Sequence, residues 1–365
     1  MNDRDGKTIE IIDGLVKEMY SQMAEGEIPD MAIPVRTKNN LVFDPGHRVW
    51  KLGSDMSSRN AKTLDGAYML LRTLYVMDFI KGMVAAGKSS TLREMYYISE
   101  GWEEAKFGSQ DDSDRLAEDL EVITARMRER FKLRPEEDGA RIIGDVTLEE
   151  YTRKGDLRRI NCRDDVGDAG YSIPYNVEAE KISFKNFGDA RFILAVETGG
   201  MFDRLVENGF DESAKAVLVH LKGQPARSTR RFIKRMHDEG GLPVFVFTDG
   251  DPWSYRIFAS VAYGAIKTAH ISEYLATPDT QYLGITPSDI LNYDLPTDKL
   301  SDEDVKALNS ILSDPRFDDE FWRQEVELQL QIRKKSEQQA LAKYGLDFVT
   351  DSYLPEKMAE HGMDL

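Results

Sequence analysis

Three short apolar runs, FILAVE (192–197), AVLVHL (216–221) and VFVFTD (244–249), fix what the second half of this chain can become. Segments of helical spacing, about 201–208, 225–239 and 252–269, follow them in turn, and a fourth run, QYLGI, lies at 281–285. Strand and helix in alternation imply a parallel sheet with helices on both faces. Residues 301–345 read as two or three further helices.

In open parallel sheets, ligands bind beyond the carboxyl ends of the strands. The first run ends in Glu197, followed by Thr198-Gly199-Gly200, and the third ends in Asp249-Gly250-Asp251. On adjacent strands these carboxylates converge, and a hard divalent cation would relieve their repulsion; oxygen ligands and phosphate chemistry favour Mg²⁺. The competing reading makes the aspartates caps of the helix that starts at Pro252. It leaves unexplained a glutamate ahead of two glycines on another strand.

The first half reads differently. Residues 1–60 form an extension with an amphipathic helix (9–23) whose apolar face includes Ile12, Leu15, Met19 and Met23. Residues 61–151 read as three helices followed by ARIIGDVTLEEY, which alternates around Gly144 like a small hairpin. Three helices and a β wing describe a winged-helix (CAP-like) module. Residues 152–190, rich in charge and glycine at their start, read as a linker, and 191–365 as the α/β domain. The expected class is therefore α+β and multidomain, a winged-helix domain followed by a mainly parallel sheet.

Within the helical module, GMVAAGKSS (82–90) satisfies the phosphate-cradling pattern G-x-x-x-x-G-K-[ST]. That pattern works only where a strand enters the loop, whereas Leu64, Ala67, Leu71, Leu74 and their neighbours recur at helical spacing up to Gly82. Gly87 reads instead as the glycine ending a helix, and Thr91-x-x-Glu94 as the capping box starting the next. That next helix, TLREMYYISEGW, puts Arg93 and Tyr97 on one face at i and i+4. Deprotonating a free tyrosine at pH 7 costs about 4 kcal/mol. A neighbouring guanidinium lowers that cost and also holds phosphate oxygens. Tyr96 reads as core.

With 48 basic and 65 acidic residues the net charge is −17, which argues against a polyanionic partner. Distribution overrules the total in two places. The stretch VLVHLKGQPARSTRRFIKRM carries Lys222, Arg227, Arg230, Arg231, Lys234 and Arg235 without an acid, and ARMRERFKLR carries Arg126, Arg128, Arg130, Lys132 and Arg134 against Glu129. Solvated helix faces would explain either alone; both together point to a phosphate-binding groove. The single cysteine, Cys162, excludes an internal disulfide, and five scattered histidines offer no structural zinc site. No apolar run approaches membrane-spanning length, so a cytoplasmic chain without membrane association is expected.

Three stretches, LREMYY, VETGGMFDRL and TDGDPWSYRIF, in this order and spacing resemble the A subunit of DNA topoisomerase VI, the archaeal type IIB family. The same core is similar to the meiotic transesterase family that makes recombination breaks. The resemblance runs from about residue 60 to 345. It implies a winged-helix domain carrying the nucleophile, at Tyr97 with Arg93 beside it, and a Toprim domain whose Glu197, Asp249 and Asp251 hold Mg²⁺. Glu197 is also a candidate proton donor to the leaving hydroxyl. KGQPARSTRRF is similar to the family's DNA-facing basic loop and helix. The expected partners are double-stranded DNA, a second copy whose acids serve this chain's tyrosine, and an ATPase B subunit, which binds the ATP, in an A2B2 assembly associated with the nucleoid. The implied activity is ATP-dependent relaxation and decatenation through a 5′-phosphotyrosyl break. Two alternatives stay open: a recombination-type break maker without strand passage, and a non-catalytic DNA-binding scaffold.

Overall fold

The computed structural model describes residues 3–134 and 140–365, in two units: Met1–Val42 with Lys51–Glu137, and Phe43–Trp50 with Asp138–Leu365.

In the first unit, the helix Leu64–Ala85 supplies Leu70, Val76, Met77, Ile80 and Met83 to a core shared with the helices Leu92–Ser99 and Gln110–Thr124. The helix ends as its glycine demands. Gly87 takes φ +65°, its N–H donates to the Val84 carbonyl (3.2 Å), and the Lys88 N–H donates to that of Met83 (3.0 Å), the paired bonds of a Schellman motif. A helix therefore enters GMVAAGKSS, and the phosphate-loop pattern is coincidental.

The expectation of a separate extension over 1–60 is corrected. The helix Asp3–Ala24 buries Ile12 and Met19 in the core of the first unit, joined there by Met31. The antiparallel strands Asp30–Pro34 and Met56–Asn60 are tied to the helix Gln110–Thr124 by charge. Arg36 binds Glu118 and Asp119 (both 2.6 Å), and Arg59 also reaches Asp119. With the short parallel pair Ser90–Thr91 and Leu133–Arg134, this strand pair contributes β structure to the unit. The segment expected as its wing lies elsewhere.

That segment, with the supposed linker, folds in the second unit. Arg141–Ile143 and Thr147–Tyr151 do not pair with each other. The first joins a six-stranded sheet and the second the antiparallel sheet Ile182–Asn186, Thr147–Tyr151, Leu157–Asn161. Gly144 sits where they part, and a Cβ there would come within 2.8 Å of the Val217 Cα. Residues 152–190 are thus strands and turns, and several of their charges are structural. Asp145 accepts from the Asn161 amide (2.8 Å) and the Asp189 N–H (3.0 Å), and Arg163 pairs with Asp145 and Asp189. Cys162 is wholly buried there, its thiol pushed up to about 12 by burial.

The six-stranded sheet runs Tyr171–Ser172, Arg141–Ile143, Ala216–His220, Phe192–Val196, Val244–Phe247, Gln281–Gly284, the last four parallel. Its residues alternate between two cores. Ile193, Ala195, Val217 and Val246 face one, while Phe192, Leu194, Leu218 and Phe247 face the other, so both faces are covered. The helix Gly199–Glu207 follows the central strand, Arg227–Gly240 the next in sequence, and Pro252–Ala262 the third. The last residues close one core: Tyr353, Leu354 and Met358 are buried, and the Tyr353 hydroxyl donates to Asp289 (2.8 Å).

Candidate active site

Parallel pairing brings the carboxyl ends of Phe192–Val196 and Val244–Phe247 side by side, with Val196 opposite Phe247, so Glu197 and Asp249 emerge together. The Glu197 N–H donates to the Phe247 carbonyl (3.1 Å), and the Asp249 N–H donates to the Glu197 carboxylate (3.1 Å). Asp251 caps the helix Pro252–Ala262, its Oδ1 accepting from the N–H groups of Trp253 and Ser254 (both 2.8 Å). The capping alternative thus holds for Asp251. It does not hold for Asp249, whose Oδ1 accepts from the Gln338 N–H (2.8 Å).

These acids sit uneasily without a counter-charge. Burial chiefly pushes the Asp249 carboxyl up to about 7, with Glu197 and Asp251 adding to it while the Gln338 N–H opposes. Glu197 is raised by burial too, with Asp251 adding to it while the Ser254 hydroxyl and the Asp249 N–H oppose. Among the described residues no three His, Cys, Asp or Glu side chains close into a metal-holding group. The Asp249 N–H on the Glu197 carboxylate ties those two turns together, while Asp251 stays on its helix cap. Three oxygen donors, two of them raised in part by mutual repulsion, still have the chemistry a hard divalent cation requires.

The tyrosine lies in the first unit. Thr91 and Glu94 form the full capping box: the Glu94 N–H donates to the Thr91 hydroxyl oxygen (3.0 Å) and the Thr91 N–H to the Glu94 carboxylate (2.7 Å). The short helix this starts is pinned by Met95, fully buried, and by Tyr96, packed against the helical core. Tyr97 points the other way, 59% exposed, with the Arg93 guanidinium 6.0 Å from its ring centroid. Core tyrosine and solvent-facing tyrosine are thus separated by one position of helix rotation.

The basic residues divide. In the helix Arg227–Gly240, Arg227 and Arg230 are buried, so the expected solvent-facing basic helix is corrected at both. Arg231 pairs with Glu178 (2.8 Å) and Lys234 with Asp238 (3.0 Å). Arg235 is buried on Glu239 and the carbonyls of Val177 and Ile182. Much of that charge holds the antiparallel region against the helix. Lys222 and Arg126 are exposed and Arg130 half-buried.

Comparison with known proteins fits this arrangement. Residues 192–358 match the family described as the Toprim domain of the topoisomerase 6 A subunit and Spo11, residues 136–187 "All-beta domain in DNA topoisomerase VI alpha subunit", and residues 68–133 "Type IIB DNA topoisomerase". The A subunit of type 2 DNA topoisomerase 6 from Archaeoglobus fulgidus is 59% identical over 363 residues, all of both chains. The chain belongs to the family of topoisomerase VI A subunits. Those of Natronomonas pharaonis (57%, 96% of this chain and 94% of that one) and Methanosarcina acetivorans (56%, 99% and 96%) are similarly close.

The matched all-β segment coincides with the strands found where a linker and a wing were expected. Sequence reading also missed Gln338, which is fully buried and bonded to Asp249. Nothing in QQALAKY marks it, because its role depends on a chain reversal more than eighty residues beyond the acid it touches.

Proposed function

We propose that the chain is the DNA-cleaving and rejoining subunit of a type IIB topoisomerase, with Tyr97 as nucleophile. The carrying observation is the exposed Tyr97 beside Arg93 on a chain whose Toprim strands end in Glu197, Asp249 and Asp251. The phenol gives up its proton, its oxygen forms a bond to a backbone phosphorus, and the bond from phosphorus to the 3′-oxygen breaks. That oxygen takes a proton and leaves as a 3′-hydroxyl. One phosphodiester replaces another, so resealing needs no ATP. Arg93 favours the phenolate and steadies the scissile phosphate. Glu197, Asp249 and Asp251 would hold Mg²⁺, which when bound supplies positive charge for the oxygens that become more negative as the phosphate is attacked.

Lys222 in the second unit and Arg126 and Arg130 in the first each contact duplex phosphates, and Arg227, Arg230, Arg231 and Lys234 support the basic helix that follows Lys222. Cutting both strands takes two tyrosines, hence a homodimer. Strand passage takes an ATPase, supplied by a B subunit in an A2B2 assembly acting on the cytoplasmic nucleoid. No helix among the described residues is long and apolar enough to cross a membrane.

The test is a denaturing trap: the chain with its ATPase partner, Mg²⁺, ATP and supercoiled DNA, followed by mapping of the DNA-linked peptide. A 5′ adduct on Tyr97, absent in Tyr97→Phe while DNA binding persists, is expected. Adducts that survive Tyr97→Phe overturn the assignment. Adducts on Tyr97 without resealing or relaxation favour the break-maker, and binding without any adduct favours the scaffold.

A further inference from the structure

The acid-bearing turns are held from outside the Toprim strands. Between the helix Glu320–Ile332 and the 3₁₀ segment Gln338–Tyr344, the chain runs back past Asp249-Gly250-Asp251 and bonds to its backbone. The Gly250 N–H donates to the Ser336 carbonyl (2.8 Å), and the Gln329 amide donates to the Gly250 carbonyl (2.7 Å). Gln338 then joins the two strand ends. Its backbone N–H donates to Asp249 Oδ1 (2.8 Å), and its side-chain Nε2 donates to the Phe247 carbonyl (3.0 Å). Its Oε1 accepts from the hydroxyl of Thr198, the residue after Glu197 (3.0 Å). The side chain is fully buried, so neither bond can be replaced by bulk water without opening the site.

We infer that Gln338 is a positioning residue for the divalent-cation site, setting the spacing of the Glu197 and Asp249 turns through one amide with a bond to each. An amide is suited to the task. It offers a donor to the carbonyl side and an acceptor to the hydroxyl side in one rigid plane. A carboxylate would face the Phe247 carbonyl with no proton to give. Residues that orient metal ligands typically matter 10–100-fold for affinity. The inference rests on the reading of these acids as cation ligands, and its test separates the two.

Direct Mn²⁺ binding, followed by the electron spin resonance of the free aqua ion, is measured on the full chain carrying Tyr97→Phe, which cannot cleave. In that background Gln338→Ala is expected to bind Mn²⁺ about tenfold more weakly. Thr198→Val, which loses the hydroxyl's bond to Gln338 together with its cap on the Met201 N–H (3.4 Å) and its bond from the Gln339 amide (3.2 Å), should be weakened less, and Thr198→Ser, which keeps all three, should bind as the parent does. DNA affinity in EDTA should match the parent throughout. Asp249→Asn is the control. If it lowers Mn²⁺ binding while Gln338→Ala and Thr198→Val bind as tightly as the parent, the positioning role is overturned and the acids remain ligands. If the parent binds no more Mn²⁺ than Asp249→Asn, the cation reading falls and this inference with it. Where Gln338→Ala fails to fold, the Val and Ser pair at Thr198 decides: equal affinity for the two overturns the inference.

Discussion

Removing the charge of Asp249 should stabilise the metal-free protein. Its carboxyl is raised from 3.8 to about 7, chiefly by burial and next by Glu197 and Asp251. Between those values the folded state holds a proton that the unfolded state has released, so stability falls as pH rises through that window and stays low above it. At about 1.4 kcal/mol for each tenfold, the ionised form costs roughly 4 kcal/mol at pH 8. Asparagine is nearly isosteric and its oxygen can still accept from the Gln338 N–H, so Asp249→Asn should recover most of that figure. For a unit of this size it corresponds to about 10 °C in Tm. The assay is thermal unfolding in EDTA at pH 8 and pH 5, followed by tryptophan fluorescence; Trp50, Trp253 and Trp322 all lie in the second unit. The variant should melt higher at pH 8, with most of the difference gone at pH 5. In Mg²⁺ at pH 8 the parent should gain stability and the variant little. A variant less stable than the parent at pH 8 in EDTA, or a difference independent of pH, would refute the electrostatic account.

Gly82→Ala meets nothing within 4 Å at its new Cβ and sits inside a helix, so it should stabilise by about 0.5–1 kcal/mol and leave ATP-dependent relaxation with the partner intact. A phosphate loop at GMVAAGKSS would instead lose function. Arg235→Met strands the buried carbonyls of Val177 and Ile182, while the exposed Glu239 stays solvated, and should cost about 1–3 kcal/mol, read as a fall in Tm. Lys222→Ala and Arg126→Ala, both at exposed positions, should barely move Tm yet each reduce the salt slope of DNA binding by about one. A loss of affinity with no change in slope would remove them from the phosphate contacts.

Local signals in the sequence carried far and then stopped at pairing. The capping box at Thr91, the helix end at Gly87 and the strand ends at Glu197 and Asp249 depend on a few neighbouring residues, and the structure shows each. ARIIGDVTLEEY misleads because alternation identifies strands without identifying their partners. Its two strands flank a glycine as a hairpin's would, yet they pair with Tyr171–Ser172 and Ala216–His220 on one side and Leu157–Asn161 and Ile182–Asn186 on the other. Composition misleads over 152–190 for a related reason. Charged residues in a row suggest solvent, but Arg163 pairs with Asp189 and with Asp145, outside the stretch, across turns that only the fold brings together.

The same limit separates what the site's charges are from what they do. Six basic residues between Lys222 and Arg235 count equally toward a DNA-binding stretch when read along the chain. In the fold, Arg235 is committed to two carbonyls and Glu239, and Arg231 to Glu178, while Lys222 is exposed at the sheet's carboxyl edge. The acids show the converse. Their place at the strand ends could be read, but what holds them could not, since Gln338 and Ser336 reach the Asp249 turn from beyond the helix Glu320–Ile332. Half-buried carboxylates that repel one another need such restraint if they are to stay in place. A chain segment that satisfies the backbone of the turn while bonding one oxygen of Asp249 supplies it without neutralising the acid.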